Sequence, residues 1–475
     1  MNENVKANKM GTEPVPKVML TMGMPMIVSM VLQACYNIVD SMFVARIPDA
    51  DGIVHMGEYA VNALTLAFPV QMLIIALGIG TGVGVNAALA RCLGQKDSER
   101  VARLAGNGVV LGIIIYVCFF LFGLFGIDWY LQSQTKDPVV LSMGTTYMKI
   151  CTLLSFGIVL FSIYEKLLQA TGKTMYSTIA QVAGALTNVI LDPIMIFGYF
   201  GCPAMGIAGA AYATVVGQVV SMVVAMFFHY RKNKEVPNGL KYLKLQGRVV
   251  KEIYTIGFPA IIMQAVMSVM TYGINIIFGA VSASAVTAYG IFYKIQQFIF
   301  FAAFGLRDAI TPIVSYNYGT GDKKRVKDGI KYGILYVEII MVIGILILEL
   351  GAGPLAAAFG LSAETAELCV LAMRIIALGF LFAGGNIAIQ GVFQALDCGI
   401  GSLAISLIRQ LVVVLPLAWF FTTLANADFM IWFAFPIAEA AAFVVAFVLL
   451  KRELDCKRIV IPFVGHNNVS LQGVI

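Results

Sequence analysis

The stretch VMLTMGMPMIVSMVLQACYNIVDSMFV, residues 18–44, is apolar for long enough to cross the hydrocarbon core of a bilayer, and it carries one carboxylate, Asp40, toward its end. A charge at the bilayer centre costs roughly 3 kcal/mol on insertion scales, so an acid kept inside a span marks an ion path or a substrate site. The rest of the chain agrees with a membrane setting. Of its 475 residues, 60% are hydrophobic and only 12% charged, with a mean hydropathy of +0.87, whereas soluble domains carry about 25% charged residues. The segment before residue 18 is polar through Lys17 and shows no small-residue cleavage site, so the first span is expected to stay attached.

Apolar stretches long enough to span recur near 18–44, 58–90, 104–126, 141–164, 175–199, 206–229, 252–278, 283–315, 331–350, 366–391, 401–423 and 429–450. That pattern predicts an all-α polytopic protein of twelve transmembrane helices. Lysine and arginine are held on the cytoplasmic side during insertion, which orients the chain. With both termini inside, the inner segments collect 25 of the 32 basic residues, among them Arg91, Lys96, Arg100, Arg103, Lys166 and Lys173, while outer loops hold only Arg46 and Lys136. The net charge of +6 is scattered over loops that face lipid headgroups, which argues for a lipid bilayer and against nucleic acid as a partner. Eight cysteines form no CxxC pair, and His55, His229 and His466 fall in loops or at span ends without metal-ligand spacing.

An internal repeat organises the spans. Thr21-Met22-Gly23-Met24-Pro25 opens the first and Thr255-Ile256-Gly257-Phe258-Pro259 the seventh, in the same register. Leu93-Gly94-Gln95-Lys96-Asp97-Ser98-Glu99-Arg100-Val101 is answered 225 residues later by Tyr318-Gly319-Thr320-Gly321-Asp322-Lys323-Lys324-Arg325-Val326, and the same offset pairs Gly80 with Gly305 and Gln169-Ala170 with Gln394-Ala395. Two pseudo-symmetric six-helix lobes follow, and a site between such halves is a transporter arrangement. The boundaries expected are a cytoplasmic segment 1–17, an N-lobe 18–230, a basic linker 231–251, a C-lobe 252–450 and a cytoplasmic tail 451–475.

The repeat also marks where the halves differ. Asp40 is matched by Ile274 and Asp192 by Leu417, so this acidic pair belongs to the first lobe alone. In Asn188-Val189-Ile190-Leu191-Asp192-Pro193, amide and carboxylate lie four residues apart, on one helical face. Pro193 withholds a backbone donor, so a bend there and a freed carbonyl are expected. Carboxylate, amide and carbonyl are the oxygen ligands a small hard cation takes, and a desolvated carboxylate also holds a proton near neutral pH. A hydroxyl from Thr214 could join them. The plainer alternative is that Asp192 sits near the outer interface. The chain has 23 methionines and 53 aromatic residues, adaptable surfaces for amphiphilic cations, of which Tyr36, Asn37, Met263 and Tyr293 are the candidate cavity wall. Arg307-Asp308 lies inside the eighth span; the two side chains point about 100° apart, so Arg307 is expected to neutralise an acid on a neighbouring helix or to face the cavity, a structural ion pair being the alternative. Lys294, Glu338, Arg374, Arg409 and Glu439 are similar cases.

Asn37-Ile38-Val39-Asp40, Asn188 to Phe197, Gly206-Ile207-Ala208-Gly209-Ala210-Ala211 and the paired Gly94/Asp97 and Gly319/Asp322 loops together resemble the multidrug and toxic compound extrusion (MATE) transporters, from about Thr21 to Leu450. The likeness is to the bacterial branch whose ion site lies in the N-lobe. It implies an antiporter in the bacterial cell membrane that exports small-molecule organic cations against Na⁺ or H⁺, acting as a monomer, with no further cofactor. Asp40, Asn188 and Asp192 match the family's ion-binding positions, including those that would hold Na⁺ as a metal, and Thr214 is a looser match. A flippase for lipid-linked saccharide precursors, from a related superfamily, is the alternative, although such proteins want a basic cavity. Glycines at 78, 80, 82 and 84 lack the lysine and serine of a nucleotide loop, and no catalytic Ser/His/Asp set is present, so an enzyme is not expected.

Overall fold

The computed structural model describes residues 8–49, 56–357, 359 and 361–459; Asn37 is described in its backbone only, and His55 and His466 lie outside the described residues. Among the described residues the chain is helical throughout. A short α1 (Lys9–Thr12) precedes α2 (Val15–Val44), α3 (Met56–Gly94), α4 (Ser98–Phe125), α5 (Ile127–Gln134), α6 (Pro138–Leu153), α7 (Phe156–Ala170), α8 (Thr174–Phe197) and α9 (Ile207–Lys232). The second half repeats the plan with α10 (Gly247–Gly279), α11 (Ala283–Thr320), α12 (Lys323–Ala357), α13 (Ala363–Ala377), α14 (Phe380–Ala395), α15 (Gly399–Leu407), α16 (Val414–Thr422), α17 (Ala427–Met430) and α18 (Ala434–Cys456).

Among the described residues ten stretches are long and apolar enough to cross a membrane unaided: α2, α3, α4, α8, α9, α10, α11, α12 and the runs Gly399–Thr422 and Ala427–Cys456. The other two spans are broken, α6 with α7 at 43° and α13 with α14 at 55°, which completes a twelve-helix plan. The sequence reading places one span in each of these regions, at 141–164 and 366–391, and each is built from two helices. Neither break contains a proline, and Ser155 and Gly379 lie among apolar neighbours, so a hydropathy window joins the two pieces. Because α7 continues to Ala170, Lys166 is no loop residue: it lies within the helix, 1% exposed. α8 runs through Pro193 to Phe197 as one element.

The first helix of each half begins in the other half. Val15, Val18, Met19, Met22 and Met26 of α2 pack into the core formed by α11, α12 and α14, whereas the second half of α2 lies along α8. Likewise, Val249 and Ile253 of α10 pack with α3, α4 and α7, and Ile274 and Phe278 return to the core of the second lobe. These crossings need close approach. A Cβ on Gly84 would come within 2.0 Å of the Ile253 carbonyl oxygen, so no larger residue fits there without parting the lobes.

The contacts between lobes gather on the face that carries both termini. Arg91 at the end of α3 pairs with Glu252 of α10 at 2.7 Å and with Asp397, and Arg100 reaches the same Glu252 at 2.8 Å. A strap at the start of the chain adds to the seam. Asn8 Nδ2 donates to the Thr171 carbonyl at 3.0 Å and to Glu235 at 2.7 Å, while the Met10 carbonyl accepts from Asn317 at 3.0 Å and Arg325 at 2.7 Å. Toward the opposite face the helices turn to their own lobes, Gly273 of α10 lying against Leu415 and Phe43 of α2 against Phe197. The ion pairs and hydrogen bonds that join the lobes thus lie at the termini face.

Candidate functional site

The second half of α2 and the end of α8 bring Asp40 and Asp192 together inside the first lobe. Polar bonds between the two helices fix their register: Thr178 Oγ1 donates to the Pro25 carbonyl at 2.8 Å, and Gln181 Nε2 to Gln33 Oε1 at 2.9 Å, with Ser29 bonded to Gln181. In lipid such bonds have no water to compete with them, and each contributes about 0.6 kcal/mol. One to three turns further along, Asn188 Nδ2 donates to Asp192 Oδ1 at 3.2 Å, the contact expected from the four-residue spacing. Asp192 is 0% exposed and Asn188 nearly so, while Asp40 is half-buried and within hydrogen-bonding reach of Asp192. Pro193 has no amide hydrogen to give the Val189 carbonyl one turn back, so that oxygen lacks its usual helical partner.

What distinguishes this cluster is unmet acceptor capacity. Asp40 Oδ1, Asp192 Oδ2 and Asn188 Oδ1 are all buried without a hydrogen-bond donor, and among the described residues neither acid lies in a salt bridge with a basic side chain. A buried carboxylate oxygen with no donor is costly, and a proton or a small cation would satisfy it. Two carboxyls in contact also cannot both stay ionised without a counter-charge. Among the described residues no group of three or more His, Cys, Asp or Glu forms a metal-holding cluster, so a cation here would rely on the amide and carbonyl oxygens as well.

The other candidates divide. Tyr36 stands near both acids, one turn before Asp40. The Asn37 side chain lies outside the described residues. Thr214 is half-buried on α9, and among the described residues no hydrogen bond links it to either acid. Tyr147 and Cys151 of α6, which sequence reasoning passed over, lie near Asp40, with Gln71 Nε2 donating to the Tyr147 hydroxyl at 3.1 Å. A hydroxyl-bearing aromatic inside an apolar span was the available signal.

The second lobe has its own cavity, lined by Met267, Met270, Tyr293, Phe304, Gln410 and Phe435 among others. Tyr293 lines this cavity; Met263 is buried a turn earlier on α10, where its sulfur accepts a hydrogen bond from Ser402 at 3.3 Å. The charges near this cavity are paired. A π-helical turn, Ile408–Val412, carries Arg409 onto Glu439 at 2.6 Å, and Asn386 donates to the other oxygen of Glu439 at 2.9 Å. Glu338 on α12 is the exception, with one buried oxygen lacking a donor against Gly384 and Gly385. Arg307 takes the alternative course, a structural ion pair. Among the described residues it pairs with no acid on a neighbouring helix; its guanidinium folds back on the adjacent Asp308 at 2.8 Å and lies over the Phe304 ring. Asp308 in turn bonds Lys166 of α7 at 2.7 Å and is buried.

Comparison with known proteins agrees with this architecture. The chain is 26% identical to the multidrug export protein MepA of Staphylococcus saprophyticus over 92% of its own length and 94% of that protein. It is 27% identical to MepA of Staphylococcus aureus (strain MRSA252), over 92% and 95%. Its fold superposes with a TM-score of 0.88 on a multidrug resistance MATE family transporter of the MOP superfamily solved in an outward-facing conformation, at 23% identity, covering 96% of this chain and 99% of that one. The MatE family model matches residues 25–194 and 259–420, one segment in each half. This multi-pass protein of the cell membrane belongs to the MatE family, the multidrug and toxic compound extrusion transporters.

Proposed function

We propose that this transporter is a secondary antiporter that exports organic cations in exchange for Na⁺ or H⁺, with Asp40, Asn188 and Asp192 taking the incoming ion. The observation that carries the reading is the trio of buried oxygens on these residues that have no donor, in a lobe where no basic side chain neutralises them. The names of the staphylococcal relatives, multidrug export proteins, point the same way. Cation and exported drug would compete for one set of negative charges, so occupancy by one disfavours the other and exchange becomes obligatory. The inward-running ion is taken from the face opposite the termini, which on the count of basic loop residues is the outside, leaving both termini in the cytoplasm of a bacterial cell. The protein would work as a monomer, since each chain holds both lobes and the cleft between them.

A lipid-precursor flippase calls for free positive charge in the cleft to meet a pyrophosphate. Here Lys166, Arg307 and Arg409 are all paired with acids, which favours a cationic substrate.

The deciding experiment reconstitutes the purified protein in vesicles and follows ethidium movement under an imposed Na⁺ gradient, then under an imposed proton gradient. One gradient should drive dye transport, and Asp192→Asn should reduce it to the rate of empty vesicles. Transport at the normal rate by Asp192→Asn, or dye movement indifferent to both gradients, would overturn the proposal.

A further inference from the structure

Between the two lobes, deep in the seam, lies a cluster of four charges that the ion site does not use. Lys166 Nζ of α7 donates to Asp308 Oδ2 of α11 at 2.7 Å, and the two side chains are 2% and 5% exposed. This bond joins one lobe to the other. Each partner also has an opposite charge on its own side. Lys166 donates to Gln169 Oε1 at 2.9 Å, and Gln169 donates at 2.9 Å to Glu165, one residue before Lys166. Asp308 accepts on its other oxygen from Arg307 at 2.8 and 3.1 Å.

The seats are built for these side chains. A Cβ on Gly82 would stand 2.8 Å from Lys166 Cγ, and a Cβ on Gly391 would stand 2.8 Å from Arg307 Cγ. The repeat relates the two seats: 82 to 307 and 166 to 391 are both separations of 225 residues, so in each lobe a basic side chain lies over a glycine where the other lobe has the reverse.

We propose that Glu165, Lys166, Arg307 and Asp308 form a charge-exchange gate: the Lys166 to Asp308 bond holds the lobes together at the termini face, and Glu165 and Arg307 receive the two charges when the lobes part. The physical case rests on the cost of an orphaned charge. Removing one partner from a buried ion pair ordinarily leaves the other uncompensated in a medium that solvates it poorly. In this cluster, separation would leave Lys166 with Glu165 and Asp308 with Arg307, two neutral pairs, one in each lobe. The seam is therefore held by a strong bond that can still open. All four are positioning residues for the transport cycle, and the proposal rests on the alternating-access reading of the chain as a transporter.

A distance measurement tests it, using spin labels at Gln95→Cys and Lys324→Cys, exposed on the termini face of the two lobes, in a background with the native cysteines replaced. Asp308→Asn removes the bond between lobes and leaves two cations side by side, so long distances should grow roughly tenfold in population. Lys166→Gln should act in the same direction and serves if the first variant fails to fold. Glu165→Gln should act in the opposite direction, because the bond between lobes is intact but Lys166 has lost the charge that would receive it; the short distance should gain by a similar factor. A purely structural cluster predicts loosening by all three. Loosening by Glu165→Gln, or unchanged distances in both Asp308→Asn and Lys166→Gln, would overturn the gate. These distances need neither dye nor ion gradient, so a parent protein that moved no dye would sink the transport reading and leave this measurement interpretable.

Discussion

The two lobes share a helix plan and treat buried charge in opposite ways. In the first, Asp40 and Asp192 keep oxygens without donors; in the second, Glu439 is met on one oxygen by Arg409 and on the other by Asn386. A charge already satisfied by its own chain has little to gain from a mobile ion, whereas an unsatisfied one has a whole desolvation penalty to recover. The contrast suggests a division in which the first lobe responds to the coupling ion and the second supplies a rigid, neutralised wall. Glu338, with one unmet oxygen, is where that division is least complete.

Stability measurements on the solubilised protein can break the contrast or sharpen it. Glu439→Gln should produce the largest change, a loss of roughly 3 to 5 kcal/mol, because Arg409 stays buried without its acid. Asp192→Asn should move stability the other way, raising the melting temperature by an amount corresponding to about 1 to 3 kcal/mol, since the amide brings a donor to Asp40 and removes an unmet oxygen. Two losses of the same size would mean that the lobes do not differ as described. Gly84→Val touches neither set of acids and addresses the seam alone. Pressing on the Ile253 carbonyl should cost about 1 to 3 kcal/mol and make Cys92, buried beside Arg91 and Glu252, react faster with a thiol reagent. The smallest effect belongs to Thr178→Ala, which removes a single bond between α8 and α2 worth about 0.6 kcal/mol and should leave dye transport within a factor of two.

The sequence announces some of this clearly and conceals the rest for identifiable reasons. Asn188 and Asp192 are legible because their bond is local to one helix, and helical geometry alone places residues four apart on one face. The lobes are legible because the offset of 225 survives in loop residues that cap helices, such as Asp97, whose side chain accepts from the Arg100 amide, and Asp322, which does the same for Arg325. Lys166 misleads, because a lysine between two apolar stretches looks like a loop residue until its partner, 142 residues away, is known. Arg307 misleads for a different reason. Direction along a helix says where a side chain leaves the backbone, but a long guanidinium can curl back to the neighbouring residue. The breaks at 154–155 and 378–379 are marked only by Ser155 and Gly379, single small residues that a long apolar run readily hides.

The strap at Asn8 to Glu13 has a consequence for how the chain is made. Its anchor points on Asn317 and Arg325 lie 307 and 315 residues beyond Met10, in the second half of the sequence. Ribosomes deliver these residues long before Asn317 and Arg325, and the docking surface exists only after α11 has been threaded into the bilayer and α12 begun. Biogenesis must therefore keep the leading segment waiting, and its seating would be among the final steps by which the newborn polypeptide is sealed.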